Sequence, residues 1–188
     1  LQYGDLFNPK EVEAPNRRRN IVIPVNRCFD TVVDNKLISE VTLQGATINK
    51  LITQGVYTLD TLDKTIDSLL HGYTFETLST EAKPAGKLRR YPVGTVLDIP
   101  GEDNVHYLLW ALSTFDSKLK AQTTMVEYAT AVQKLVEACN LDSEGFPVLL
   151  PQVHSTSTPM FLEQEWAARN LPRTATSGPS WGRSAWTG

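Results

Sequence analysis

Two segments of this chain hold residue types suited to gripping a small anionic or ribose-bearing molecule. The first follows the apolar run Asn20 to Asn26 and reads Asn26, Arg27, Cys28, Phe29, Asp30 and Thr31, with Thr42-Leu43-Gln44-Gly45-Ala46 further on. An Asn and an Arg at a strand's exit can donate to phosphate or ribose, and small residues such as Gly45 and Ala46 at a helix start let backbone N–H groups approach a phosphate. A polar surface loop whose Asn and Asp close turns is the alternative reading. The second segment, Gln152-Val153-His154-Ser155-Thr156-Ser157-Thr158-Pro159, leads from an apolar run toward a helix. Its hydroxyls and successive N–H groups could cradle phosphate with help from the helix dipole, or could serve only as an ordinary N-cap. No Gly-x-x-x-x-Gly-Lys and no Gly-x-Gly-x-x-Gly occurs, which argues against a P-loop or a Rossmann cofactor site.

Nucleophilic catalysis would need Cys28 beside His154 and an acid such as Asp30, and no local signature supports that trio. Cys139 falls on an apolar helical stripe and reads as core. His71, His106 and His154 have no metal-ligand spacing among themselves or with cysteine, so no metal is expected, and His71 and His106 read as surface residues. The Arg17-Arg18-Arg19 and Lys87-Leu88-Arg89-Arg90 runs read as solvated faces. A formal net charge of −3 supplies no positive field for a nucleic acid. Two cysteines cannot make a disulfide framework, which points to a reducing, cytoplasmic setting. Apolar stretches such as Ile21 to Val25 fall far short of the ~20 residues a membrane helix needs. The chain begins at Leu1 without a basic-then-apolar leader, so it is expected to be a fragment or a processed product.

The elements that would position these residues follow from period and punctuation. Asn20 to Asn26 is β-branched and continuous, a buried strand in which Pro24 is the odd member. Arg27 to Glu40 is a polar loop with a turn at Asp34-Asn35. From Thr42 the period becomes helical, with Leu43, Ala46 and Lys50 on one line beside Ile48, Leu51 and Ile52, and Gly55 ends that helix. Leu59, Leu62, Ile66, Leu69 and Leu70 define a second helix, with Asp60, Asp63 and Asp67 on its other face. Thr74 to Arg90 reads as a connection. Tyr91 to Ile99 and Tyr107 to Phe115 are strands around the turn Pro100 to Asn104. Met125, Ala129, Val132, Val136 and Cys139 advance in helical steps as one apolar stripe. Phe146 to Val153 is another buried strand, and a helix from about Pro159 to Arg169 is expected after the N-cap Thr158.

Strands separated by helices, two of the strands apolar throughout, predict a three-layer α/β/α sandwich around a mixed sheet. With 188 residues and roughly 150 per domain, one domain is expected, over residues 1–170, followed by a disordered or atypical tail at 171–188 that holds Trp181 and Trp186. Ligands in such sheets sit beyond the carboxyl ends of strands, where both candidate segments fall.

Several strings in the chain resemble the macro-like domain of Thoeris antiphage-defence effectors, within the macro domain superfamily. They are Gly4-Asp5-Leu6-Phe7, Ile21-Val22-Ile23-Pro24-Val25-Asn26-Arg27-Cys28-Phe29-Asp30-Thr31, Tyr91-Pro92-Val93-Gly94-Thr95, Leu112-Ser113-Thr114-Phe115-Asp116 and Phe146-Pro147-Val148-Leu149-Leu150-Pro151. The resemblance spans residues 1 to about 165, and Val-Asn-Arg-Cys-Phe-Asp-Thr is its most specific part. It implies a macro-domain-like mixed sheet that binds ADP-ribose or a derivative, with no resident cofactor. Carried over by position, Asp5 and the Leu6 backbone meet the adenine end, Asn26 through Thr31 approach the distal ribose, Gln44-Gly45-Ala46 lie near one phosphate loop, and Val153 to Ser157 supply the other.

In the family setting a partner TIR enzyme makes a nucleotide signal from NAD, and the macro-like domain senses it without being an enzyme. Oligomerisation on activation, and a membrane-spanning segment upstream that holds the domain on the cytoplasmic side, belong to the same expectation. The chain departs from the family pattern at Val153-His154-Ser155-Thr156-Ser157, where relatives tend to carry a Gly-Thr-Gly type of turn. Glycine approaches phosphate without steric cost, so its absence points either to a degraded or divergent copy or to His154 replacing a backbone contact with a side-chain one. Two other functions compete: a hydrolase that removes ADP-ribose, with Asn26 and Asp30 orienting water, and a non-catalytic protein-interaction module.

Overall fold

The computed structural model describes residues 18–146 and 148–151. At its centre runs β1, Arg19–Asn26, pairing in parallel with β5, Val105–Phe115, from Arg19 opposite Val105 to Val25 opposite Ala111. On the other side of β1, β7, Val148–Leu149, adds a second parallel neighbour at Asn20 and Ile21. The strand β4, Val96–Pro100, is antiparallel to β5 through the turn Pro100 to Asn104, and β6, Ala121–Gln122, pairs with the end of β5. The order is β4-β5-β1-β7, a mixed sheet, with a separate hairpin of β2, Glu76–Thr77, and β3, Arg89–Arg90.

Side chains alternate across the pleat and find an apolar layer on each face. Ile21, Ile23 and Val25 pack with Leu97, Ile99, Tyr107 and Leu109 against α1, Leu43–Thr53, and α2, Leu59–Leu69. Val22, Leu108, Trp110 and Leu112 face the other way, onto Ala131 and Leu135 of α3, Met125–Asp142. This is the expected three-layer α/β/α sandwich. Burial on both faces is why β1 is apolar from Ile21 to Val25, each such side chain contributing about 1.5–3 kcal/mol. Among the described residues β7 pairs only as far as Ile21, so the N–H that Pro24 lacks leaves no ladder bond unmade on that side.

Several expectations need correction. The segment Tyr91 to Ile99 is not strand throughout, because Thr95 folds back onto the Pro92 carbonyl through both N–H and Oγ1 and the strand starts at Val96. Helix α1 buries Gln44, Thr47, Ile48 and Leu51, rather than the line of Ala46 and Lys50. In α2 the buried side chains are Leu62 and Ile66, with Leu70 just beyond its end, while Leu59 and Leu69 are exposed. Helix α3 exists as expected, but its stripe Met125, Val132 and Val136 is exposed. The face that packs carries Tyr128, Ala131, Leu135 and Cys139, anchored by the Trp110 indole N–H on the Ala131 carbonyl at 3.0 Å. Arg18 and Arg19 are not a solvated run: Arg19 is buried, and Arg18 bridges Asp98 at 2.8 Å and Glu144 at 2.7 Å.

Thr74 to Arg90 is more than a connection, since it forms the β2–β3 hairpin and buries Lys83 completely. The expected helix at Pro159–Arg169 and the tail at 171–188 lie outside the described residues. Among the described residues no helix is long and apolar enough to cross a membrane.

Candidate functional site

The parallel strands β1, β5 and β7 deliver their carboxyl ends to one edge of the sheet. The helix after β1 lies on one face and the helix after β5 on the other, so the carboxyl ends of β1 and β5 mark a topological switch point, where α/β sheets hold their ligands. A register shift at Val25/Asn26 sets Asn26 opposite Ser113, whose carbonyl takes the Arg27 N–H at 2.7 Å.

Asn26 organises the loop that follows it. Its Oδ1 accepts the Cys28 N–H at 3.0 Å and the Asp30 N–H at 3.5 Å, and its own carbonyl accepts from the Phe29 N–H at 2.9 Å. Gln44, in the first turn of α1, stitches helix to loop: Oε1 accepts from the Asn26 N–H at 3.3 Å, and Nε2 donates to the Asp30 carbonyl at 2.8 Å. The two predicted stretches, Asn26 to Thr31 and Gln44 to Ala46, are therefore one structural unit. Thr42 caps α1, its Oγ1 accepting the Gly45 N–H at 2.9 Å and its carbonyl the Ala46 N–H at 2.8 Å. Gly45 is required by close packing, because a Cβ there would collide with the Ser39 carbonyl oxygen.

The remaining loop residues each have a defined partner. Arg27 donates from Nε to the Tyr91 carbonyl at 2.9 Å and pairs with Glu127 at 3.1 Å, while burial and the nearby Arg90 lower its pKa. Cys28 is buried, and desolvation pushes its thiol up to about 11, the wrong direction for a nucleophile. Phe29 holds a left-handed backbone, φ +50°, with its ring edge-on to Tyr91 at 5.9 Å. Such strain, about 1–3 kcal/mol, persists only where surroundings over-determine the conformation. Thr31 donates to Asp63 of α2 at 2.7 Å.

Asp30 is buried against Lys83, whose Nζ lies 2.9 Å from Oδ2 and 3.2 Å from Oδ1; the Lys87 N–H adds a 2.6 Å bond to Oδ1. Burial raises the Asp30 pKa, and the Lys87 N–H and the Lys83 ammonium oppose it. Sequence reasoning missed Lys83. Nothing in its surroundings, Ala82 before it and Pro84-Ala85-Gly86 after it, marks it as a core residue; only Asp30, far upstream, does. Asp5, Leu6 and Val153 to Ser157 lie outside the described residues. Among the described residues no cluster of His, Cys, Asp and Glu is arranged to hold a metal.

The family described as Thoeris protein ThsA, Macro domain, matches residues 1–165 of this chain. The chain belongs to the ThsA macro-domain family. It is also 30% identical over 159 residues to the Thoeris protein ThsA of Bacillus amyloliquefaciens (strain Y2), covering 84% of this chain and 48% of that protein. This macro domain therefore spans about half the length of that relative. The family match includes the β1 exit loop, the α1 start and the β5 end, the pieces that meet at the switch point.

Proposed function

We propose that this macro domain is the sensing module of an antiphage-defence effector and binds an ADP-ribose-type nucleotide derived from NAD at the β1/β5 switch point. The observation that carries the reading is the loop Asn26 to Thr31, fixed at the carboxyl end of β1 and bonded through Gln44 to the first turn of α1. In this reading the turn Asn26 to Thr31, whose side chains other than Arg27 are buried, borders the distal ribose, and the α1 N-terminus directs its dipole at one phosphate while the Gly45 and Ala46 N–H groups stay bonded to Thr42. Val153 to Ser157 meet the second phosphate, and Asp5 with the Leu6 backbone holds the adenine end.

The domain acts as a sensor rather than an enzyme. The buried Asp30 carboxylate is engaged by Lys83 and Lys87, which leaves it poorly placed to orient water, and the Cys28 thiol is protonated at neutral pH. A TIR-domain enzyme supplies the signal, and the bound ligand shifts the population toward an active, oligomeric effector to the extent that it favours that state. Signalling then takes place on the cytoplasmic side.

Calorimetry with ADP-ribose, run beside a release assay on an ADP-ribosylated substrate, tests the reading. Binding without turnover is expected. Turnover abolished by Asn26→Ala would make the domain a hydrolase instead, and no heat with ADP-ribose, NAD or amino-acid-linked ADP-ribose would remove the nucleotide altogether.

A further inference from the structure

The segment between α2 and β4 grips the candidate site without forming part of it. Lys83 is fully buried, with its ammonium shared among Asp30, the Ala85 carbonyl at 2.6 Å and the Lys87 carbonyl at 2.9 Å. Three carbonyl or carboxylate partners satisfy its donors, so the charge is fixed in place rather than merely neutralised. Lys87 adds its N–H to Asp30 and its ammonium to Asp63 at 2.7 Å, the same carboxylate oxygen that receives Thr31. Tyr91 closes the grip, exchanging two 2.9 Å bonds with Arg27 and packing its ring on Phe29.

A buried ion pair stabilises a fold no better than well-packed apolar residues of the same volume. The pair does achieve something an apolar pair could not. Asp30 is tied by its N–H to Asn26 at the start of the turn and by its carbonyl to Gln44 of α1, so holding its carboxylate holds the residue that links the turn to that helix.

We propose that Lys83 is a positioning residue for the nucleotide site: through Asp30 it holds the Asn26–Thr31 turn in the conformation that accepts the distal ribose. The inference rests on the nucleotide-binding reading above. The strained Phe29 backbone makes the turn dependent on outside support, and Lys83 provides it. A turn competent in about one molecule in ten binds about tenfold more weakly, because the ligand must first select that minority.

The test uses the full chain and three variants: Lys83→Met, Asp30→Leu and the double variant. Lys83→Met is expected to lower Tm and weaken ADP-ribose binding about tenfold. The double variant, free of the unpaired buried charge, should regain Tm, while the amides of Cys28 to Thr31 should still exchange faster than in the wild type, a readout independent of any direct contact between Asp30 and the ribose. Recovery of both Tm and exchange protection, or unchanged affinity in Lys83→Met, would reduce Lys83 to a stabilising residue and overturn the proposal. Should Lys83→Met fail to fold, Lys83→Gln, which keeps an N–H donor, replaces it. If the wild-type chain binds no nucleotide, the functional reading fails by itself. Amide hydrogen exchange then still tests the positioning: faster exchange at Cys28 to Thr31 in the Lys83 variant is expected, and unchanged protection there refutes it.

Discussion

Replacing Gly86 by alanine perturbs the Lys83–Asp30 contact without removing either charge. Gly86 has φ +80°, and a Cβ there would overlap Asp30 Oδ1 and stand 2.7 Å from both Lys83 Nζ and Leu37 Cδ2. Gly72 is a matched control: φ is +90° and nothing lies within 4 Å of its would-be Cβ. Both substitutions incur the left-handed backbone cost, about 1–2 kcal/mol, and Gly72→Ala should incur no more. Gly86→Ala must also displace a carboxylate and an ammonium that have no water to move into. Uncoupling a buried pair costs about 3–5 kcal/mol, so the total should approach 4–7 kcal/mol if the pair separates and about 3 if it merely shifts. For a chain of this size each kcal/mol lowers Tm by about 2–4 °C. Urea denaturation of the two variants side by side reads the difference. Equal midpoints would show that the Lys83–Asp30 contact yields freely, and the account of a rigid support for the turn would be wrong.

Other consequences are simpler. Cys28 titrates near 11 in the folded protein against 9.0 in a free thiol, so above pH 9 the unfolded chain loses its proton first. Stability should then fall between about pH 9 and 11 by about 2–3 kcal/mol, and a Cys28→Ala variant should show a smaller fall in denaturant melts across that range. The same thiol should resist alkylation by iodoacetamide at pH 8 until the protein unfolds. Gly45→Ala sets a methyl group against the Ser39 carbonyl oxygen at the start of α1 and should cost about 1–3 kcal/mol, measured by thermal melting.

The parts of the fold governed by local periodicity were legible in the sequence. The run Ile21 to Val25 could be recognised as a doubly buried strand because the pleat offers no polar face, and Asp34-Asn35 as a turn because Asp34 Oδ1 accepts the N–H groups of Lys36 and Leu37. What periodicity cannot rank is two apolar lines on one helix. In α3 the line through Met125, Val132 and Val136 reads as the buried one, whereas the face through Tyr128, Ala131 and Leu135 packs, because Trp110 on a strand meets it there. Charges misled for the same reason. Arg18 read as solvent-facing and Lys83 drew no reading at all, yet their partners Asp98 and Asp30 lie far along the chain, and a lone lysine carries no mark of its eventual burial. Within the site, the association of Asn26 to Thr31 with Gln44 to Ala46 could be anticipated from strand exit and helix start. The reason for Gly45 could not: it is the Ser39 carbonyl, a neighbour supplied by the loop's own path.

The location of the ligand is tested most directly by an NMR titration of the labelled full chain with ADP-ribose. Saturable shifts concentrated at the amides of Cys28 to Thr31 and Leu43 to Ala46 are expected. Shifts absent there while the ligand binds, or concentrated around the opposite sheet edge at Arg18, Asp98 and His106, would contradict that location.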